Sequence, residues 1–353
     1  MIIYKDEKFG FFEIFNERNG TLIRSDDFSG NDPVMRSYPE LLDVGIMGHC
    51  ESGLACKTAG IDCYQNAHTR KNPNMLFADF SKIVRQSIGK TFQIALGGAG
   101  DPNKHPDFER ILKLCRQYGI VPNLTTSGNA LSDKEVKLIK EYCGAVAVSW
   151  YSRLDKDGRE SNQMTLDAVN RFVNIGCVTN IHFVISRDTI EEATFRLNND
   201  LFPKNINAVI FILYKPVGQG IIGKTLARDD SRLNAFVQAV QKSIHPYRIG
   251  FDTCFTPLLL HHMGNMTEQS IDACEAATFS MYIDSELNCF PCSFGVDFGS
   301  GISESMSDKT IREIWNGNLF TEFRSRQKAK CSGCSKSRAC RMGCRLNLPI
   351  DLC

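Results

Sequence analysis

Between residues 41 and 245 the hydrophobic period switches back and forth, and this alternation constrains the fold more than any other feature. Six short apolar runs carry it: "LLDVGIM" (41–47), "FQIALG" (92–97), "IVPNLTT" (120–126), "AVAVSW" (145–150), "VTNIHFVI" (178–185) and "NAVIFILY" (207–214). They are rich in Val, Ile and Phe, bounded by Gly, Pro or Asn, and nearly continuous in hydrophobicity, as strands buried on both faces are. Helical patterns follow them at about 74–88, 106–118, 133–143, 166–175, 189–199 and 230–244. The second places Phe108, Ile111, Leu112 and Cys115 on one face, and the third opens with Ser132 and Glu135 at capping-box spacing. Six strand-then-helix units predict an α/β fold with a parallel sheet, either an open doubly wound sheet or a partial barrel. In both, ligands gather at the C-terminal ends of the strands.

Residues 1–40 stand apart. There "RNG" (18–20) lies between two apolar, aromatic-containing runs and predicts a hairpin turn, so this stretch is read as a small N-terminal β-hairpin appendage. The chain of 353 residues is long enough for the α/β domain and a second, smaller one. Net charge is +1, which builds no field for nucleic acid or acidic lipid, and neither partner is expected. No apolar run reaches 18 residues and the N-terminus lacks a signal-peptide layout, so a cytoplasmic protein is expected.

Cysteine is the outlier. The chain has 15, an odd number, and in a reducing compartment clustered thiols read as metal ligands or catalytic groups rather than disulfides. Cys50, Cys56 and Cys63 form C-x5-C-x6-C just past the first strand, on the loop at the functional mouth of the sheet. No histidine lies between them, and three thiolates leave a metal or cluster one open coordination position. Nine cysteines follow residue 250, which marks a cysteine-rich domain from about 246 to 353 after a domain at 41–245. Within it "CSGCSKSRACRMGC" (331–344) is C-x2-C-x5-C-x3-C, with Cys353 last. Taken alone, four thiols at this spacing hold zinc as readily as an iron–sulfur cluster. Cys115, Cys143 and Cys177 are scattered singly and are assigned to packing.

A cysteine triplet after the first strand, its third cysteine followed by Tyr64, in a chain of six βα units resembles the radical S-adenosylmethionine (SAM) enzymes. The spacing departs from their usual C-x3-C-x2-C, being longer and glycine-containing. The resemblance implies a partial (β/α)6 TIM-like barrel whose triplet holds a 4Fe–4S cluster that binds SAM through its open iron. "LGGAGDPNKHPDF" (96–108) is similar to the family's "GGEP" segment, which implies SAM contacts at Gly97, Gly98 and Ala99; Ala99 stands where the family often has Glu. Side-chain-free backbone there permits close approach. "LTTSGN" (124–129) resembles the segment after strand three and adds Ser127. Ser149, at the end of strand four, and Asn180, with His182 beside it in strand five, complete the implied SAM residues.

The C-terminal run followed by a terminal cysteine resembles the SPASM domain, an extension of many radical SAM enzymes that carries two auxiliary 4Fe–4S clusters. This resemblance assigns Cys331, Cys334, Cys340 and Cys353 to auxiliary cluster II. It sends Cys344 back to auxiliary cluster I with Cys254, Cys274 and Cys292, and Cys289 is the alternative to Cys254. Three 4Fe–4S clusters and SAM are therefore the implied cofactors. The implied reaction is reductive cleavage of SAM to a 5′-deoxyadenosyl radical that takes hydrogen from substrate.

SPASM enzymes mostly modify peptides, and "CYQ", "KPVG" (215–218), "DTCF" and "PCSFG" together look like maturases of ribosomally made peptides. The implied partners are a precursor peptide, an electron donor such as flavodoxin or ferredoxin, and either the N-terminal hairpin region or a separate leader-peptide-binding protein. A radical SAM enzyme of a small molecule or folded protein, and a zinc-bearing binding protein, are the alternatives. Asp252, Tyr214 and Lys215, near the strand mouths, are the candidate acid–base residues. Ser293 follows Cys292 where sulfatase-maturing relatives commonly carry a basic Asp.

Overall fold

The computed structural model describes residues 1–27, 29–242, 244–263 and 271–350. Three short strands open the chain: β1 (Ile2–Asp6), β2 (Phe11–Phe15) and β3 (Leu22–Arg24). The alternating region follows as β4 (Leu41–Met47), α1 (Gly53–Thr58), α2 (Phe77–Ser87), β5 (Gln93–Gly98), α3 (Phe108–Gln117), β6 (Val121–Thr126), α4 (Asp133–Tyr142), β7 (Val146–Ser149), α5 (Gln163–Asn174), β8 (Thr179–Ile185), α6 (Ile190–Asn199), β9 (Ala208–Leu213), α7 (Arg232–Gln241) and β10 (Arg248–Phe251). After it come α8 (Thr256–His262), β11 (Ser280–Ile283), β12 (Asn288–Phe290), β13 (Glu304–Ser305), α9 (Ile311–Asn316), α10 (Asn318–Ser325) and α11 (Ser337–Cys340). All six predicted strands and their helices form, each within a few residues of its expected limits.

The chain makes two compact units, each assembled from separated stretches. The first comprises Met1–Thr125, Glu141–Ala145 and Glu275–Arg326. In it β5 pairs in parallel with both β4 and β6, and β11 adds to the other edge of β4, also in parallel. A hairpin then runs back from β11 through β12 to β13. Along β4, Leu42, Val44 and Ile46 are fully buried, and the buried rows Phe80, Ile83 and Val84 of α2 and Phe108, Ile111, Leu112 and Cys115 of α3 fill the same core. The "RNG" turn joins β2 to β3 with Gly20 at φ +72°, a left-handed position that glycine accepts without strain. β2 is tied inward by Glu13, whose carboxylate meets the Arg36 guanidinium at 2.7 Å, both side chains fully buried.

The second unit comprises Thr126–Lys140, Val146–Cys274 and Gln327–Cys353. Its strands β7, β8, β9 and β10 pair in parallel and in sequence order. An aromatic core of Phe183, Phe202, Phe211, Phe236 and Phe251 packs largely edge to face, with Phe211 and Phe236 centroids 5.1 Å apart. Such pairs add about 0.5–1.5 kcal/mol each beyond simple burial. The architecture is thus α/β with parallel strands and crossover helices, as the alternation predicts. Among the described residues no helix is long and apolar enough to cross a membrane.

Candidate functional site

In the first unit, the loop after β4 carries the cysteine triplet. Part of it, expected as a plain loop, is the helix α1, and Cys56 lies on it. Glycine lets the chain pack tightly here. A Cβ on Gly53 would stand 2.8 Å from the His68 backbone, and one on Gly48 would strike the Pro73 carbonyl. The loop after β5 lies directly against this one. A Cβ on Gly100 would come within 2.6 Å of the His49 carbonyl and 3.3 Å of Cys50 Cα. Gly98 has φ +116°, and the Ala99 N–H donates to the Met47 carbonyl at 2.8 Å, which locks the ends of β4 and β5 together. The glycine pair therefore serves backbone packing at Gly98, while Gly97 is open: a Cβ there would meet nothing closer than Asp43 Oδ1, at 3.9 Å.

Burial pushes the Cys50 thiol up to about 11, with Asp101, Cys56 and Cys63 adding to the rise. Cys56 is raised by burial, then by Cys63 and Asp101. Beside them Gln65 is 2% exposed, and neither its carboxamide N nor its O has a hydrogen-bond partner. A buried orphan of this kind marks a place for a polar group. Tyr64 packs on Phe294 with centroids 5.0 Å apart, so the residue after Cys63 meets the segment after Cys292. Deeper on β4, Asp43 accepts from Ser293, and desolvation pushes its carboxyl up to about 7. The Tyr282 hydroxyl lies over Gly45, where a Cβ would stand 2.3 Å from it. Cys289 is fully buried in β12, whereas Cys292, just past that strand, is half-buried.

The second unit holds most of the C-terminal cysteines. Cys254, in a short turn after β10, has its thiol raised by burial, and among its charged neighbours are Lys215, Asp252, Cys274 and Cys344. Cys254, Cys274 and Cys344 are thus brought together from three separate places in the sequence. Cys331, Cys334 and Cys340 line one cavity with Pro257, Leu260 and His261 of α8. After Cys340 the chain takes three successive left-handed residues, Arg341 (φ +47°), Met342 (φ +77°) and Gly343 (φ +63°). Backbone strain in non-glycine residues persists only where surroundings impose it, and it clusters at functional sites. Cys353 lies outside the described residues. Among the described residues no three His, Cys, Asp or Glu side chains converge on a point that would hold a single metal ion.

The remaining predicted residues also fall in the second unit. Ser127 follows β6 and its Oγ accepts from the Asn129 N–H at 3.3 Å. Ser149 ends β7, opposite His182 in the register with β8. Asn180 is the second residue of β8, at the strand's N-terminal end, where its Oδ1 accepts from Asn207 at 2.8 Å. Desolvation drives the His182 imidazole down to about 4. The Tyr214 hydroxyl accepts from the Ile221 N–H at 2.8 Å. The buried Lys215 pairs with the partly exposed Asp252, a pairing that no local pattern in the sequence signals.

The fold and the thiol sets define a class. Residues 274–336 match the SPASM family, an iron–sulfur cluster-binding domain. Structural similarity extends over nearly the whole chain. SuiB of Streptococcus suis bound to S-adenosylmethionine superposes with a TM-score of 0.67 at 19% identity, over 88% of this chain and 74% of that one. SuiB bound to its precursor peptide SuiA gives 0.65 at 18% identity, over 88% and 72%. The enzyme anSMEcpe with bound AdoMet and a peptide gives 0.63 at 16% identity, over 89% and 93%. No curated protein sequence matches the chain. The chain therefore shares the fold of these structures, and residues 274–336 match the SPASM iron–sulfur cluster-binding domain.

Proposed function

We propose that this chain is a radical SAM enzyme that modifies a ribosomally made precursor peptide. The observation that carries the reading is the triplet loop: Cys50, Cys56 and Cys63 lie on the loop after β4, whose His49–Cys50 backbone is pressed against Gly100, just past β5. In this reading the three thiolates hold a 4Fe–4S cluster with one open iron, and the SAM-binding residues are those the resemblance implies, Gly97, Gly98, Ala99, Ser127, Ser149 and Asn180. A cluster held by these thiolates would supply the electron for reductive cleavage of SAM. The protein's own part is to supply thiolates, hold the substrate in position and exclude water. Cys254, Cys274, Cys292 and Cys344 hold auxiliary cluster I, and Cys331, Cys334, Cys340 and Cys353 hold auxiliary cluster II. The catalytic core spans 41–245 and the auxiliary-cluster domain 246–353.

Support for a peptide substrate comes from the fold shared with SuiB and anSMEcpe, both crystallised with peptides. Leader recognition falls to the N-terminal sheet or to a separate binding protein. The sheet offers Ile3, Ile14 and Ile23 in register across its outer face, 68%, 38% and 57% exposed. A contiguous exposed apolar row is the kind of surface that marks an interaction site. Flavodoxin or ferredoxin is the expected electron donor.

Anaerobic purification tests the class. About twelve irons per chain and reductive release of 5′-deoxyadenosine from SAM are expected. A colourless protein with two zincs and no SAM cleavage would refute the enzyme reading, and a Cys56→Ala variant that still cleaves SAM would refute the cluster assignment. Co-expression with a candidate precursor peptide tests the substrate, which should change in mass or fragmentation. Fluorescence polarisation tests the leader: binding by this chain alone, with affinity unchanged after removal of residues 1–35, would overturn the leader assignment.

A further inference from the structure

Residues 327–353 hold six Lys or Arg and one acid, Asp351, in a chain whose net charge is only +1, so acids outnumber bases over the rest of it. The basic residues interleave with the cysteines. Lys328 and Lys330 precede Cys331, Lys336 and Arg338 lie between Cys334 and Cys340, and Arg341 follows Cys340. Local turns wind this segment tightly. The Cys331 N–H donates to the Lys328 carbonyl at 2.9 Å, and the Cys334 N–H to the Cys331 carbonyl at 3.2 Å. The Ser337 N–H donates to the Cys334 carbonyl at 3.1 Å, and the Cys340 N–H to the Lys336 carbonyl at 2.9 Å. Such turns advance by only about 2 Å per residue, so the basic residues leave the chain within one small area.

The cavity lined by Cys331, Cys334 and Cys340 has apolar walls at Leu260 and Met342 and a basic one at Lys336. Arg338, on α11 between Lys336 and Cys340, is exposed, and Lys328 and Arg341 are half-buried. An apolar centre within a basic rim is the layout of a docking surface for an acidic protein. Single-stranded nucleic acid is the poorer match, because residues 327–353 hold no Phe, Tyr or Trp on which bases would stack. The thiols at the centre of the patch point to electron transfer instead.

We propose that this face of the second unit docks an acidic one-electron carrier protein, of the flavodoxin or ferredoxin kind, over the Cys331–Cys334–Cys340 cavity. In the docked pair the carrier loses one electron and the iron–sulfur cluster that these cysteines would hold gains it; no bond forms and no proton moves. The inference rests on the reading of these cysteines as cluster ligands and adds the place where the electron enters. Encounters between redox proteins are small and weak, so long-range charge governs their rate.

Stopped-flow reduction of full-length protein, reconstituted anaerobically with iron and sulfide, is the test. Reduced flavodoxin and reduced ferredoxin are the two probes, and dithionite is the small-molecule control. At low salt, Lys336→Glu combined with Arg338→Glu should slow reduction by one carrier or both about tenfold, and about 0.5 M KCl should slow wild type comparably. Dithionite should reduce both proteins to the same extent. Lys204→Glu, exposed elsewhere on the same unit, should leave the carrier rates unchanged. If the double variant loses iron, Lys328→Glu alone decides in the same way. Carrier rates that respond to neither charge reversal nor salt overturn the inference while leaving the enzyme reading intact. Binding of heparin by the patch, with charge reversal abolishing that binding but not slowing either carrier, overturns it too and assigns the patch to a polyanion. Wild-type protein that holds no iron overturns both.

Discussion

Replacing Gly98 by alanine sets two penalties against the end of β5. Its φ of +116° lies where an L side chain is strained, and left-handed backbone costs about 1–2 kcal/mol for a residue with a Cβ. The new Cβ would also stand 2.4 Å from the Met47 carbonyl oxygen, 2.9 Å from Met47 N and 3.1 Å from the Gly45 carbonyl carbon. All three are backbone atoms, so no rotamer change relieves the overlap, and β4 must move away from β5. Forced overpacking costs a further 1–3 kcal/mol or so. The sum, about 2–5 kcal/mol, is a large part of the roughly 5–15 kcal/mol that holds a domain folded. Gly97→Ala is the control. There the nearest atom is Asp43 Oδ1 at 3.9 Å, ordinary contact distance, and the backbone is not left-handed, so a change within about 1 kcal/mol is expected. Urea unfolding of both variants, with the slope checked for constancy, reads the difference. SAM binding by the same proteins then separates roles: Gly97→Ala should fold normally and bind SAM weakly. If Gly98→Ala unfolds within about 0.5 kcal/mol of wild type, or if both variants lose the same stability, the reasoning from backbone contact is wrong.

Other expectations follow from buried charge. Arg196 is fully buried, with its guanidinium forked onto Glu160 at 2.6 and 2.9 Å and onto Glu192 at 2.8 Å, so Arg196→Met should cost about 3–5 kcal/mol in thermal unfolding by stranding the Glu160 carboxylate, while Glu192 keeps Arg153. Arg196→Lys should recover little, because lysine lacks the planar fork. Asp43, pushed up to about 7 by desolvation, binds its proton more tightly folded than unfolded; wild type should therefore lose stability as pH rises from about 4 to 7, and Asp43→Asn should flatten that slope in urea midpoints. His182, driven down to about 4 by desolvation, works in the other direction. Stability should fall as pH drops from about 6.5 to 4, and His182→Gln should remove that part of the acid dependence.

Much of this architecture is legible in the residues because buried parallel strands announce themselves as continuous apolar runs. "LLDVGIM" and β4 coincide residue for residue, and the expected capping box at Ser132 and Glu135 forms, with the Glu135 N–H donating to Ser132 Oγ at 3.2 Å. What stays hidden is held by tertiary context. β10 is four residues long with an arginine and a glycine in it, so only its pairing with β9 makes it a strand. α1 contains Gly53 at its start and shows no apolar face; it forms where a small residue can sit on the His68 backbone. β11 is apolar but short, and nothing local says that its partner is β4. The site divides in the same way. Cysteine spacing marks the triplet and the Cys331–Cys334–Cys340 set, because ligands close in sequence leave a pattern. The gathering of Cys254 with Cys274 and Cys344, and of Lys215 with Asp252, leaves none, because each is made by chain segments far apart in sequence.

The pairing of β11 with β4 has a consequence for biosynthesis. Some 230 residues separate the end of β4 from the start of β11. At translation rates of about 5–20 residues per second, the ribosome needs on the order of 10 to 50 s to deliver the partner strand. During that interval β4 exposes an open edge of Leu, Val and Ile, and the triplet thiols emerge long before the segment that packs against Tyr64. Loops that close late in the chain fold slowly and leave sticky edges waiting. Expression yield in a heterologous host should therefore depend on holding the nascent chain, by chaperones and slow synthesis, at least as much as on the supply of iron.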